Sequence, residues 1–186
     1  MKELSLNILD IAENSVKAEA TLTEIIIEET DTTLTITIND DGCGMSEETL
    51  QAVTNPFYTT RTTRNVGLGI PLLKLSAEQT GGYVKITSKK ADEYDSSHGT
   101  KVVAHYNKNH IDFTPLGDVI STVITLIQGH PNTDFLFKHE KSENEVILDT
   151  RSVKEVLEGV PIDTYEVIKW IEENLTEQYN EFSIKN

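Results

Sequence analysis

Two polar residues near the amino terminus, Asp10 and Asn14, have the types and the spacing that metal and phosphate chemistry needs. A separation of four places both side chains on one face of a helix, and Lys17 continues that face by one turn. Asn14 offers an amide oxygen to a hard divalent cation, and Asp10 could orient or deprotonate a water molecule near a phosphate. A solvated helix face explains the same three residues equally well when this segment is taken alone.

A second group, Asp40-Asp41-Gly42-Cys43-Gly44, follows an alternating run of threonine and aliphatic residues. Taken alone the group predicts a turn, because Asp bonds its own backbone and Gly tolerates positive φ. An ionised Asp only accepts hydrogen bonds, so Asp41 could bind an exocyclic amine such as adenine N6. Gly42 and Gly44 would let the base approach the backbone. Asp40 receives no role, and Cys43 is interpreted as a small packing residue.

The third feature is a stretch that runs from an aperiodic loop into a glycine-flanked turn. Residues 54–66 show no period, and long loops of this kind in compact domains are functional or disordered, so this one could be a lid that orders on ligand binding. The following turn begins a helix, where free N–H groups favour a phosphate, although a helix start needs no ligand. The candidate ligand contacts of the stretch are Phe57, Thr60, Arg61, Gly67, Leu68 and Gly69.

These residues depend on an alternation of helices and strands for their positions. Apolar residues at spacings of three and four predict helices, and period-two alternation predicts strands that bury one face. Thr100 stands at the start of a strand, where its hydroxyl could join a hydrogen-bond network. The predicted elements are helices over 4–18, over 47–53 and from Gly69 onward, and strands over 22–29, 33–39, 83–89 and 100–106.

After Tyr106 the pattern of the chain changes. An apolar-periodic helix is predicted over 115–128, and its apolar side chains are typical of a core. A hairpin follows, formed by DFLFKHE and EVILDT around KSEN, and two helices close the chain. We interpret residues 1–106 as one domain and residues 107–186 as a packed helix-hairpin-helix appendage.

Composition excludes several classes of partner. Lys and Arg total 16 against 31 Asp and Glu, a net charge of -15, which argues against nucleic acid because such binding depends on cationic groups. The single cysteine cannot form an internal disulfide. No apolar run has the length of a membrane span, and the amino terminus lacks the features of a signal peptide. We therefore expect a soluble, cytoplasmic protein without a nucleic-acid or membrane partner.

The order of four motifs resembles the GHKL family, which includes gyrase, heat-shock chaperone, histidine-kinase and mismatch-repair ATPases. LDIAENSVKAEAT is similar to the family's N box, NDDGCGM to its G1 box with the pattern DxGxG, NPFYTT to the F box and VGLGI to the G2 box. The resemblance covers roughly residues 3–106. It implies a Bergerat-type α/β (α+β) two-layer sandwich, with a mixed, mainly antiparallel sheet covered on one face by helices. It also implies that the cofactors are ATP and Mg²⁺.

The resemblance also implies roles for individual residues. Asn14 matches the Asn that coordinates Mg²⁺ at the triphosphate, and Asp10 matches the general base of the hydrolysing members. Asp41 matches the Asp that binds adenine, and Thr100 matches a Thr that supports the adenine site. Lys17, Arg61 and Arg64 match no family position and are added only as cations within reach of the phosphates. The full set of expected nucleotide-binding residues is Asn14, Lys17, Asp41, Gly42, Gly44, Phe57, Thr60, Arg61, Gly67, Leu68, Gly69 and Thr100.

Two departures from the family's pattern bear on activity. The base position holds Asp10 where hydrolysing members usually carry Glu, so hydrolysis could be slow. All five histidines follow Asn14, so autophosphorylation of a histidine in the same chain is not expected. Three functions stay open: a nucleotide-gated regulator of a partner protein, an ATP hydrolase with Asp10 as base, and a protein kinase that acts on another chain, as in the anti-sigma-factor branch.

Overall fold

The computed structural model describes residues 3–54, 69–92 and 97–184. Helices and strands follow one another there in the order that the apolar periodicities predict. The helices are α1 (Leu4–Lys17), α2 (Glu47–Thr54), α3 (Gly69–Gln79), α4 (Val119–Gly129), α5 (Thr150–Val156) and α6 (Tyr165–Ile184). The strands are β1 (Leu22–Glu29), β2 (Thr33–Asp40), β3 (Tyr83–Lys89), β4 (Gly99–Asn107), β5 (Asp134–Lys141) and β6 (Asn144–Asp149).

The strands form a single six-stranded sheet in the order β3-β4-β2-β1-β5-β6. Four neighbouring pairs are antiparallel, and only β1 and β5 run parallel, from the Leu22–Asp134 pair to the Glu29–Lys141 pair. The mixed, mainly antiparallel sheet that the family resemblance implies is therefore confirmed.

Alternation along the strands assigns one face of the sheet to the core. In β2 the side chains of Leu34, Ile36 and Ile38 are buried, whereas Thr35 and Thr37 point to the opposite, more accessible face. The apolar stripe of α1 packs on the buried face together with α3. The helices thus cover the face that carries the aliphatic residues, and they carry the polar residues of the N box with them.

The C-terminal residues share both the sheet and the core with the residues before them. The helix, hairpin and two helices expected after residue 106 are present, but β5 pairs with β1 along its whole length. Phe137 of β5 and Ile171 of α6 belong to the same buried cluster as Leu4 and Ile8 of α1. The boundary placed after residue 106 therefore falls inside a continuous sheet and a continuous core.

The helix predicted over 115–128 begins later, and that part of the prediction is wrong. Gly117 has a φ of +79°, and the Asp118 side chain accepts a hydrogen bond from the backbone N–H of Ser121, so α4 begins at Val119. The carbonyls of Pro115 and Leu116 instead accept the backbone N–H groups that start α1. Residues 115–116 therefore serve as the cap of another helix.

Length alone would allow α6, with 20 residues, to cross a bilayer. Its sequence carries several glutamates, however, among them Glu172 and Glu173. Among the described residues no helix combines the length and the apolar character that a membrane crossing needs.

Candidate functional site

A cavity of about 190 Å³ lies between α1, α2, the start of α3 and the ends of β2 and β4. A few polar side chains face it, and the remaining walls are largely apolar. This composition is typical of a small-molecule site, in which apolar walls hold the ligand and a few polar groups orient it. The lining residues are Ile11, Asn14, Ser15, Ala18, Asp40, Gly44, Met45, Thr49, Val53, Ile70, Thr100 and Val102.

Asp40 is the acidic side chain of this cavity, and it is only 9% exposed. Its Oδ1 accepts the backbone N–H groups of Gly42 at 3.0 Å and of Thr100 at 3.1 Å. Its Oδ2 accepts the hydroxyl of Ser15 at 2.9 Å. These three bonds hold the carboxylate in one orientation, and because a carboxylate oxygen accepts more than one hydrogen bond, Oδ2 can still accept a ligand donor.

Asp41 binds the protein's own backbone and does not line the cavity. Its Oδ1 accepts the backbone N–H groups of Thr21 at 2.7 Å and Leu22 at 2.9 Å, and its Oδ2 accepts the Thr21 hydroxyl. Burial acts to raise the pKa of Asp41, but these hydrogen bonds outweigh it and hold the pKa below its usual value. The expected adenine contact of Asp41 does not fit this geometry, because the side chain is engaged in joining β2 to the start of β1.

The sequence contained two signals that favour Asp40 over Asp41. The pattern D-x-G-x-G begins at Asp40 when Gly42 and Gly44 are its two glycines. Strand parity agrees, because Ile36, Ile38 and Asp40 alternate onto the buried face of β2. Both signals point one residue before Asp41, to the carboxylate that lines the cavity.

Gly42 and Gly44 are required by contacts within the protein. Gly44 has a φ of +64°, and a Cβ there would lie 1.9 Å from the carbonyl oxygen of Lys89. A Cβ on Gly42 would lie 2.8 Å from the carbonyl oxygen of Ala18, the residue that follows α1. The glycines thus allow a close approach of backbone, as predicted, but the approach shown is to α1 and β3.

Thr100 supports Asp40 from the neighbouring strand. Its backbone N–H donates to Asp40, and its hydroxyl lies 2.8 Å from the hydroxyl of Ser88. The Ser88 hydroxyl also accepts the backbone N–H of Met45 at 2.8 Å. Ser88, which the sequence analysis did not identify, therefore links β3 to the loop that carries the two glycines.

The three N-box residues occupy different positions around the cavity. Asn14 lines it and is half-buried. Asp10 is exposed beside the start of α3, where a Cβ on Gly69 would lie 3.2 Å from the Asp10 Cβ. Lys17 is exposed and is not among the lining residues. Asn14 and Ile70 thus line the cavity, whereas Asp10 and Gly69 lie next to each other outside its lining.

Part of the expected site lies outside the described residues. The described chain stops at Thr54 and resumes at Gly69. Val53 and Ile70, each one residue from this gap, both line the cavity. The expected contacts that fall outside are Phe57, Thr60, Arg61, Arg64, Gly67 and Leu68.

Similarity to known proteins agrees with the fold. A sequence profile of the family described as "Histidine kinase-, DNA gyrase B-, and HSP90-like ATPase" matches residues 2–110. The sensor histidine kinase ZraS of Klebsiella oxytoca is 30% identical over 88 residues, which are 47% of this chain and 19% of that protein. The chain therefore spans about a fifth of this curated relative.

Two solved structures share the fold. The N-terminal domain of a DNA repair protein aligns with a TM-score of 0.56 and 14% identity, over 80% of this chain and 53% of that one. The Aquifex aeolicus MutL ATPase domain complexed with ADP aligns with a TM-score of 0.54 and 18% identity, over 85% and 68%. Since the sequence profile covers more than half of the chain, the protein belongs to the family of histidine kinase-, DNA gyrase B- and HSP90-like ATPases, and this membership supports ATP binding.

Proposed function

We propose that the protein binds ATP together with Mg²⁺ in this cavity and acts as a nucleotide-gated regulator of a partner protein. The observation that carries the proposal is the buried carboxylate of Asp40, oriented by Ser15, Gly42 and Thr100 against largely apolar walls. The family membership supports the same ligand.

The chemistry of the cavity suits adenine. The N6 amine of adenine is a donor, and Asp40 can only accept when it is ionised. Apolar side chains such as Met45 and Val102 offer surfaces for a flat ring. A base with a carbonyl oxygen at the same ring position would place two acceptors against each other, so the cavity should discriminate against it.

The polar end of the cavity suits a metal-bound triphosphate. Asn14 would hold Mg²⁺ through its amide oxygen, and the ion would neutralise phosphate charge when bound. Gly69 opens α3 next to Asp10, at a helix end that favours anions. Contributions from Lys17 and from Phe57, Thr60, Arg61, Gly67 and Leu68 remain predictions of the sequence.

Paired isosteric variants test the ligand and the residue together. Asp40→Asn keeps an oxygen for the two backbone N–H groups but replaces the second oxygen with a donor, so ATP affinity should fall by about tenfold or more. The same variant should lose the preference for ATP over ITP, because an amide N–H can pair with the ITP carbonyl. Asp41→Asn should keep both the affinity and the preference.

Titration calorimetry with ATP and ITP, in the presence of Mg²⁺, measures these quantities. If neither nucleotide binds the parent protein, the proposal fails. If Asp41→Asn loses the preference for ATP while Asp40→Asn keeps it, Asp41 is the adenine contact and Asp40 is not.

The position of Asp10 beside Gly69 supports a second candidate, ATP hydrolysis with Asp10 as general base. Phosphate release from ATP labelled at the γ-phosphate should then be lost in Asp10→Asn, with ATP binding retained. The exposed Asp112 provides a matched control, since Asp112→Asn removes the same charge elsewhere. Label transferred to an added protein would instead support the kinase alternative, and label that stays on bound ATP supports the regulator.

A further inference from the structure

A second concave surface lies at the opposite end of the chain, between α5 and α6. This α5–α6 groove has a volume of about 530 Å³, and only two of its seven lining residues are polar. It does not overlap the nucleotide cavity in any lining residue. The residues that define the α5–α6 groove are Ser152, Val153, Val156, Leu157, Glu166, Val167 and Trp170.

Two of the apolar side chains that line the groove are exposed. Val156 is 82% exposed and Trp170 is 54% exposed. Val160 and Tyr165, in the connection and at the start of α6, are 51% and 74% exposed. Large exposed apolar side chains in and beside a groove are typical of a site of association.

Acidic residues are concentrated in the segment that forms this groove, and Glu166 lines it. Between residues 150 and 184 the sequence holds eight acidic residues and three basic ones. The three cations are engaged, because Arg151 pairs with Asp149, Lys154 with Asp134 and Lys169 with Glu173. Within the described part of the chain, no ion pair involves the acidic residues Glu155, Glu158, Asp163 and Glu166.

One face of α6 also combines an exposed aromatic side chain with acidic ones. Glu166, Trp170, Glu173 and Glu177 stand four, three and four residues apart, so they lie along one face of the helix. A ligand that covers Trp170 therefore meets carboxylates before and after it. An apolar side chain flanked by carboxylates favours a partner that presents an apolar side chain flanked by cations.

We propose that the α5–α6 groove binds an amphipathic helix of a partner protein, with aliphatic side chains on one face and Lys or Arg flanking them. Two helices that border an apolar groove can receive a third helix, whose side chains at spacings of three and four enter it. A second copy of this chain would bring two acidic surfaces together, since the net charge is -15. The inference goes beyond the nucleotide site and does not require that ATP be bound.

Trp170 is the only tryptophan of the chain, so its fluorescence reports directly on the groove. The probe is a synthetic Leu/Lys amphipathic peptide of about 18 residues, because shorter isolated helices are marginal in water. The matched peptide carries Glu in place of each Lys. The Leu/Lys peptide should shift the emission of Trp170 to shorter wavelength and bind saturably, whereas the Leu/Glu peptide should leave the spectrum unchanged.

Two variants separate binding in the groove from general attraction to an acidic protein. Val156→Asp and Ile111→Asp add the same charge at exposed positions, and Ile111 is 94% exposed and lies outside the groove. Val156→Asp should weaken binding of the Leu/Lys peptide by about tenfold or more, although it makes the protein more acidic, and Ile111→Asp should not weaken it. Glu166→Lys should weaken binding as well.

Equal affinity of Val156→Asp and the parent for the Leu/Lys peptide would overturn the proposal. So would equal binding of the two peptides, or a dimer of the free protein, seen by sedimentation equilibrium, that Val156→Asp dissociates. ATP affinity, measured on the same variants, keeps the two proposals apart: Val156→Asp should bind ATP as the parent does, and a failure of ATP binding leaves the peptide result standing.

Discussion

The cavity around Asp40 and the α5–α6 groove differ in the groups that their walls present. The cavity, of about 190 Å³, combines largely apolar walls with a few hydrogen-bonded polar groups, and Asp40 is held there by three donors. The groove, of about 530 Å³, has walls of aliphatic and aromatic side chains, and Val156 and Trp170 are largely accessible.

The difference predicts two kinds of recognition. Fixed donors and acceptors discriminate between ligands that differ by one polar group, because a mismatch leaves a buried group unpaired. Exposed apolar side chains provide area but little discrimination, so charge around them must select the partner. We therefore expect binding in the cavity to be sensitive to single polar atoms of the ligand, and binding in the groove to tolerate changes in the shape of the partner.

The largest effect should come from the core beneath the groove. Ile171 is fully buried on α6, so Ile171→Ala should lower the free energy of unfolding by about 3 kcal/mol, whereas Val156→Ala at the rim should change it by less than about 0.5 kcal/mol. Urea denaturation should be followed by Trp170 fluorescence and by far-UV circular dichroism. Because the core is continuous, both probes should move together; a separate fluorescence transition would show that the C-terminal residues unfold independently.

The backbone walls of the cavity should reject even one methyl group. Gly44→Ala should cost about 2 kcal/mol or more, since the new Cβ meets the Lys89 carbonyl oxygen and the left-handed conformation is also strained. Gly81→Ala isolates the second contribution, because Gly81 has a φ of +74° and open space around its Cβ, and it should cost about 1 kcal/mol. Equal costs in urea denaturation would mean that the loop at Gly44 can move.

Gln178 of α6 covers an edge of the sheet, and its replacement should have a smaller effect on stability. The Gln178 side chain accepts the backbone N–H of Ile147 at 2.9 Å and donates to the Ile147 carbonyl at 3.1 Å. Gln178→Ala should cost about 1 kcal/mol and expose the β6 edge to pairing. Sedimentation velocity should then show association that grows with concentration, while Gln178→Glu, which keeps the acceptor, should associate less.

A pH-dependent contribution to the stability of the fold should come from the end of α6 and not from the cavity. His139 is buried, and its ring packs against the ring of Phe182. Hydrogen bonds connect it with the Tyr179 hydroxyl and with Glu29. Burial lowers the pKa of His139, although the charge and hydrogen bond of Glu29 oppose this; Lys141 and Lys108 lower it further. Burial also raises the pKa of Tyr179, so the phenol stays neutral.

The sign of the effect follows from proton binding. Below about pH 6.5 the unfolded chain protonates this histidine while the folded protein keeps it neutral, so stability should fall as the pH drops. For Glu29, burial acts to raise the pKa, but the Lys108 hydrogen bond and neighbouring cations lower it overall, so Glu29 stays charged in this range. Melting temperatures at pH 7.5 and 5.5 should differ less in His139→Gln than in the parent. An unchanged difference would assign the dependence to other groups.

Local patterns were sufficient for most elements of the fold. The periods of α1 and of β1 and β2 are set by neighbours in sequence, and their bounds in the structure match the predicted ones within a residue or two. Helix α4 was misplaced because the carbonyls of Pro115 and Leu116 bind the start of α1, more than a hundred residues away. The apolar period of residues 115–128 carries no information about that long-range contact.

The sequence by itself determined the family, through the order of four motifs, and the order of the elements, through local apolar periods. It also pointed to Asn14, Gly44 and Thr100, which line the cavity. Even the choice between Asp40 and Asp41 was contained in strand parity. Only the tertiary structure decided that β5 joins the sheet beside β1 and that α5 and α6 leave a groove between them. Both depend on contacts between segments far apart in the chain, and the energy of such contacts has no signature in either segment alone.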